Sequence, residues 1–119
     1  MKIKIKKKPR KFEIVIGKKK INIIDIAKIR LKQNEQVTFG HLNSEYDVVK
    51  KDWGYYATPS INGRLKKNGF RTFLIENKRK KIYIFLVHKN KMKQFKKYCK
   101  DDNQKILTEM TNGNFQILN

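Results

Sequence analysis

The residues best suited to chemistry lie at positions 52–71, where aromatic and basic side chains are interleaved in DWGYYATPSINGRLKKNGFR. Trp53 and Tyr55 offer flat rings on which nucleic-acid bases stack, and the cations that follow offer charges to phosphates. Ser60 lies beside a predicted helix start, where free N–H groups and the helix dipole favour an anion. This combination predicts contact with single-stranded nucleic acid. The alternative is that Trp53 and Tyr56 pack against the protein itself.

Most of the other basic side chains fall into four runs, at positions 6–11, 18–20, 78–81 and 89–100. If the runs converge on one face, they form a surface that can bind a phosphate backbone. If they are dispersed, they are ordinary solvated charges on the protein surface. The residues predicted to contact nucleic acid or another anion are Lys7, Lys8, Arg10, Lys11, Trp53, Tyr55, Ser60, Arg64, Lys66, Lys67, Arg71, Lys78, Arg79 and Lys80.

The charge balance favours a polyanion as partner. The formal net charge is +20 on 119 residues, with 25 Lys but only five Arg. Lys acts as a point charge, whereas bidentate recognition of bases and phosphates favours Arg, so we expect contacts with the backbone rather than reading of sequence. RNA or single-stranded nucleic acid is the predicted partner, and an acidic protein surface is the alternative. A further alternative is that an AT-rich genome over-supplies Lys, Asn and Ile.

The usual signatures of phosphate-binding enzymes and metal sites are missing from the sequence. The spacing of Gly63 and Gly69 matches neither the P-loop nor the dinucleotide-binding fingerprint. His41 and His88, with the lone Cys99, do not make up a structural zinc site. Cys99 lies on an apolar stripe of a predicted helix, where core packing is favoured over catalysis. We therefore expect a protein that is not an enzyme, with no cofactor and no metal.

The best acidic cluster consists of Glu45, Asp47 and Asp52. Glu45 and Asp47 share one face of a predicted strand, which is compatible with metal or acid–base chemistry. In a chain this basic, carboxylates more often neutralise neighbouring lysines, and we expect that role. The remaining enzymatic alternative is a small enzyme that acts on a phosphorylated metabolite, with Ser60, Arg64 and one of these acids.

Three hairpins are predicted from the hydrophobic pattern. Residues 12–16 and 21–24 form the first, residues 37–39 and 45–51 the second, and residues 70–76 and 82–88 the third. The strands of the third hairpin are apolar on both faces, which is typical of central strands covered on two sides. Residues 25–31 are compatible with a strand or with a short helical turn that Asp25 would cap, and both alternatives stay open.

Two short helices complete the predicted fold. Thr58 followed by Pro59 predicts an N-cap and first helical residue, with Gly69 ending that helix. Residues 90–100 predict a second helix, with an apolar stripe of Met92, Phe95 and Cys99. The order ββ–ββ–α–ββ–α–β predicts a single α+β domain with a largely antiparallel sheet of about five to seven strands.

The chain is predicted to hold one domain over residues 12–110, a basic N-terminal arm over residues 1–11 and a flexible tail over residues 111–119. A short edge strand is the alternative for the arm. The longest apolar run, residues 82–87, is far too short to span a membrane. A lone cysteine suits a reducing compartment, so a cytoplasmic protein with no membrane contact is expected. The sequence leaves the oligomeric state open.

Overall fold

The computed structural model describes residues 2–116, and the chain divides into two compact units, Met1–Thr58 and Pro59–Asn119. Every strand pair in the described residues is antiparallel, and helices are few and short. The α+β class and the largely antiparallel arrangement are therefore confirmed. The boundary between the units falls inside residues 12–110, and the single domain expected over that range stays a prediction.

The first unit begins with a long two-stranded ribbon. Strand β1 (Lys2–Ile16) pairs with β2 (Lys19–Arg30) through a tight turn at Gly17, whose φ of 60° is unstrained only for a residue without Cβ. Residues 25–31 therefore continue as strand as far as Arg30, and residues 2–11 adopt the strand alternative rather than an unpaired arm. The register shifts between Ile5 and Arg10, so residues 6–9 stand opposite Ile26 alone.

A three-stranded sheet completes the first unit. Strands β3 (Gln36–His41), β4 (Ser44–Lys51) and β5 (Gly54–Ala57) pair in that order. Asp47 on β4 is buried and accepts hydrogen bonds from the hydroxyls of Thr38 at 2.6 Å and Thr58 at 3.0 Å. The hydroxyls of Thr38 and Thr58 thus hold the Asp47 carboxylate inside the sheet, and its expected pairing with lysines stays a prediction.

The second unit begins with a short helical segment, Ile61–Leu65, of π-helical geometry. Its N-cap is Ser60, whose Oγ accepts a hydrogen bond from the backbone N–H of Arg64 at 3.3 Å. The predicted cap, Thr58, is wrong because its hydroxyl donates to Asp47 instead. Gly69 follows with a φ of +87°, as expected for a residue that ends a helix.

The core of the second unit lies between a sheet and one helix. Strands β6 (Phe70–Glu76), β7 (Ile82–His88) and β8 (Lys105–Glu109) form the sheet in the order β7-β6-β8. Helix α1 (Met92–Asp101) follows a 3-10 turn at Lys89–Lys91. The predicted stripe on α1 is confirmed, since Phe95 and Cys99 are buried against the sheet. The buried core comprises Phe73, Ile75, Val87, Phe95 and Cys99.

Strand β7 differs from its predicted central position. It lies at the edge of the three-stranded sheet, and its Ile82 and Ile84 side chains are exposed. Helix α1 covers the sheet face that carries Phe73 and Val87. The register places Ile82 and Ile84 on the other face. An apolar pattern on both faces therefore does not imply cover on both faces in this strand.

Residues 2–116 hold eight strands in three separate sheets, against the five to seven strands of one sheet predicted from the sequence. Strand β5 was not predicted, because its four residues carry little strand pattern. The ribbon is also longer than the first predicted hairpin, since its pairing extends to Lys2 and Arg30. Thr111, the first residue of the predicted tail, is buried, while residues 117–119 lie outside the described part. Among the described residues, no helix is long and apolar enough to cross a membrane.

Candidate nucleic-acid interface

Four cations lie together on one face of the ribbon, at the end away from its turn. The register places Lys2 directly opposite Arg30 and Lys4 directly opposite Lys28, and residues opposed in this way share a face. All four are exposed, and they line a concavity of about 460 Å³, to which Ile3 between Lys2 and Lys4 also contributes although its side chain belongs to the other face. We call these four residues the ribbon cation face.

The alternation of Lys and Ile explains why the cations gather on one side. Successive side chains of a strand point to opposite faces, so Ile3, Ile5 and Ile29 lie on the other side of the ribbon. Like charges directly opposite each other destabilise a strand pair. Within residues 2–116, none of the four cations has an ion pair that would relieve this repulsion. The ribbon cation face is thus suited to a multiply charged anion.

The predicted arm residues divide into internally paired and exposed cations. Lys6 and Arg10 both contact Asp25 of β2, at 2.5 and 3.1 Å, and the Arg10 guanidinium also lies 4.6 Å from the centre of the Phe12 ring. The hydrogen bond from Lys6, followed by the charges of Lys6 and Arg10, lowers the pKa of Asp25 despite some desolvation. Arg10 is therefore engaged within the ribbon. The other predicted arm residues, Lys7, Lys8 and Lys11, are exposed.

The aromatic residues predicted for base stacking are exposed. Trp53, in the turn before β5, and Tyr55, on β5, are 69% and 64% exposed. The Lys50 ammonium lies 5.2 Å from the centre of the Tyr55 ring, so a cation and a stacking face occur side by side. Trp53 stacks on Tyr56 at a ring distance of 6.0 Å, which supports the packing alternative for that pair. Tyr55 is the better candidate for contact with a base.

Phe39, Tyr46 and Lys50 share the sheet face of Tyr55 but were not among the residues predicted from the sequence. The register of β4 and β5 places Lys50 opposite Tyr55 on one sheet face, and alternation along β4 adds Tyr46 to that face. Phe39 of β3 lies opposite the half-buried Tyr46 and is itself exposed. Lys50 could have been found from the sequence, because it continues the alternating pattern of β4. Phe39 could not, because its position beside these residues depends on the pairing of β3 with β4.

The remaining predicted residues of the patch at 52–71 lie in the second unit. Arg64, Lys66 and Lys67 are exposed, and the Ser60 hydroxyl caps the helical segment. The Arg71 guanidinium makes a bidentate ion pair with Glu109, from Nε to Oε2 at 2.8 Å and from Nη2 to Oε1 at 2.6 Å. The patch is thus divided between the two units.

The tip of the β6–β7 hairpin presents its cations outward. The side-chain oxygen of Asn77 accepts hydrogen bonds from the backbone N–H groups of Arg79 and Lys81, both at 2.9 Å. Lys80 adopts a φ of 62°, and a hydrogen bond from its N–H to the Asn77 carbonyl closes the turn. Lys78, Arg79 and Lys80 are all exposed. The predicted basic tip therefore has a defined backbone from which its side chains can reach an anion.

Potential metal ligands and the Cys99 thiol are further groups that could carry chemistry. Among residues 2–116, no three His, Cys, Asp or Glu side chains lie close enough together to hold a metal ion. Cys99 is buried, and desolvation together with the charge of Asp102 raises the pKa of its thiol. A thiol with a raised pKa is a poor nucleophile at neutral pH.

Comparisons of the chain with protein-family models, with curated proteins and with solved structures give no match.

Proposed function

We propose that the protein is a non-enzymatic nucleic-acid-binding module that contacts the phosphate backbone of RNA or of a single strand. The observation that carries this proposal is the ribbon cation face, two directly opposed pairs of like charges with no carboxylate among the residues that line their concavity. The exposed Tyr55 ring beside Lys50 supports a single strand in particular.

The spacing of the ribbon cation face suits a polyanion better than a single anion. Cross-strand neighbours are about 5 Å apart at Cβ, and side chains two positions apart along a strand are about 7 Å apart. Four charges within such an area repel one another, and a chain of phosphates relieves this repulsion while it releases condensed counterions. Three of the four are Lys, which act as point charges and carry no geometry for reading bases.

Binding to an acidic protein surface would use the same cations. The exposed aromatic rings distinguish the two proposals, because every base has a face that stacks on an aromatic ring, whereas the carboxylates that make a protein surface acidic have no such face. Tyr55, with Lys50 at 5.2 Å from its ring centre, therefore favours nucleic acid.

The affinity for single-stranded RNA is expected to fall steeply with added salt. Each phosphate contact to a single strand contributes about −0.7 to the slope of log K against log salt, so the ribbon cation face alone gives roughly −2.8. Fluorescence anisotropy with a labelled RNA oligonucleotide, at salt concentrations from about 50 to about 300 mM, measures this slope. A flat response contradicts the proposal. Poly-glutamate that competes as well as unlabelled RNA would assign the surface to an acidic protein.

Replacement of Tyr55 by Ala is expected to weaken RNA binding by about 1–3 kcal/mol, because one base loses its stacking partner. The matched control is Tyr83→Ala, which removes another exposed tyrosine, on β7 of the second unit. Anisotropy at one fixed salt concentration compares the two variants. Equal losses in both, or no loss in Tyr55→Ala, would show that Tyr55 does not stack on a base.

A further inference from the structure

The second unit contains a concave site that the proposed function does not use. It has a volume of about 310 Å³, which lies at the lower end of the range of small-molecule sites, about 300–1,000 Å³. Its lining comprises Lys66, Gly69, Phe70, Arg71, Lys89, Glu109, Thr111 and Asn112. We call this site the β6 cavity, because Phe70 and Arg71 begin strand β6.

Backbone hydrogen bonds bring two lysines of distant sequence to the β6 cavity. The N–H of Gly69 donates to the carbonyl of Lys66 at 3.0 Å, and the N–H of Lys89 donates to the carbonyl of Gly69 at 2.8 Å. The turn after the short helix is thus held against the start of the 3-10 turn. Within residues 2–116, neither Lys66 nor Lys89 is in an ion pair.

The third cation of the β6 cavity is held in a fixed orientation. Arg71 uses Nε and Nη2 to bind both oxygens of Glu109, which leaves the Nη1 N–H groups of the guanidinium for another acceptor. Thr111 donates its hydroxyl to Glu109 at 2.6 Å and accepts from the N–H of Thr72 at 3.1 Å. This chain of hydrogen bonds ties the guanidinium to the buried backbone of β6. The hydrogen bonds from Arg71 and Thr111 also lower the pKa of Glu109, so its charge stays engaged.

We propose that the β6 cavity binds a phosphomonoester group, which Lys66, Lys89 and the free edge of Arg71 would contact. Three cations and one carboxylate leave a local charge of +2, and a phosphomonoester carries about −1.5 to −2 at neutral pH. An internal phosphodiester carries one negative charge and matches the site less well. The Phe70 ring on the cavity wall offers an apolar surface to the group that bears the phosphate.

The phosphate can belong to the end of a nucleic-acid strand or to a small phosphorylated metabolite, and both present the same chemistry. The proposal does not depend on the ribbon cation face, which lies in the first unit. Failure of one proposal would therefore leave the other intact.

The first test titrates the full chain with inorganic phosphate at constant ionic strength and follows the backbone amide signals of Gly69, Lys89 and Asn112 by NMR. We expect saturable shifts at these amides. The double variant K66Q/K89Q should bind phosphate at least about tenfold more weakly, because two charge-assisted contacts are lost. The control K93Q/K96Q removes two exposed lysines of α1 that do not line the cavity. Shifts that do not saturate, or equal weakening in both double variants, would overturn the proposal.

A second test separates the two sources of the phosphate. RNA oligonucleotides of one sequence, with a 5′-phosphate or a 5′-hydroxyl, are compared with adenosine monophosphate as the small probe. Tighter binding of the phosphorylated strand, lost in K66Q/K89Q, assigns the cavity to a strand end. Equal binding of both strands together with saturable, lysine-dependent binding of the mononucleotide assigns it to a metabolite. No lysine-dependent binding of any phosphorylated probe would refute the site.

Discussion

Single-stranded RNA is expected to bind about 10- to 100-fold more weakly, at salt near the physiological range, when Lys4→Glu and Lys28→Glu are combined. The two side chains form one directly opposed pair of the ribbon cation face. The double reversal removes two phosphate contacts and places two negative charges next to the backbone. The slope of log K against log salt should also become shallower by about 1.4, which is the contribution of two single-strand contacts. Fluorescence anisotropy over a salt series gives both quantities.

This variant preserves the electrostatics of folding better than most charge changes do. Two like charges still face each other at positions 4 and 28, so the repulsion within the strand pair is retained. The control is Lys93→Glu with Lys96→Glu, which changes the net charge equally at exposed positions of α1. If both double variants lose affinity to the same extent, the total charge of the protein drives binding, and the ribbon cation face has no special role.

The ribbon cation face shows how far the sequence pattern reaches. Alternation of Lys and Ile at positions 2–5 is compatible with a strand, but it is equally compatible with an unpaired basic arm. The partner strand at Lys28 and Arg30 lies more than twenty positions away, and the pairing crosses the shifted register at residues 6–9. A change of one residue in that shift would move the cations of one strand to the opposite face. Sequence pattern therefore predicts the strands but not the face.

The predicted anion contacts at Arg71 show a second limit. The residue type and its basic neighbours were visible in the sequence, whereas its partner Glu109 lies 38 positions away on β8. Antiparallel pairing of β6 with β8 converts Arg71 from an open surface cation into a positioned guanidinium. Hydrogen bonds at Gly69 bring Lys89 to the same cavity as Lys66, a proximity that no local pattern contains. The stripe of Phe95 and Cys99 on α1 was predictable because helical periodicity is local.

The largest effect on stability is expected for Phe95→Ala, which should lower the free energy of unfolding of the second unit by about 3–5 kcal/mol. The Phe95 ring is buried on α1 and lies 5.2 Å from the ring centre of Phe73 and 6.0 Å from that of Phe85. Its removal leaves a cavity between helix and sheet. Because folded domains are stabilised by only about 5–15 kcal/mol, this loss is a large share of the total.

Denaturant unfolding and hydrogen exchange at the amides of Ile75 and Val87 both measure the change in the free energy of unfolding of the second unit. Gln94→Ala is the control, since Gln94 is exposed on the same helix and its truncation should cost little. Similar stability in both variants would mean that α1 does not hold the sheet through Phe95. The ribbon cation face lies in the first unit, so RNA affinity measured where Phe95→Ala is still folded should match that of the unaltered protein. An affinity that falls with the fraction of folded second unit would instead place the RNA interface on that unit and contradict its assignment to the ribbon.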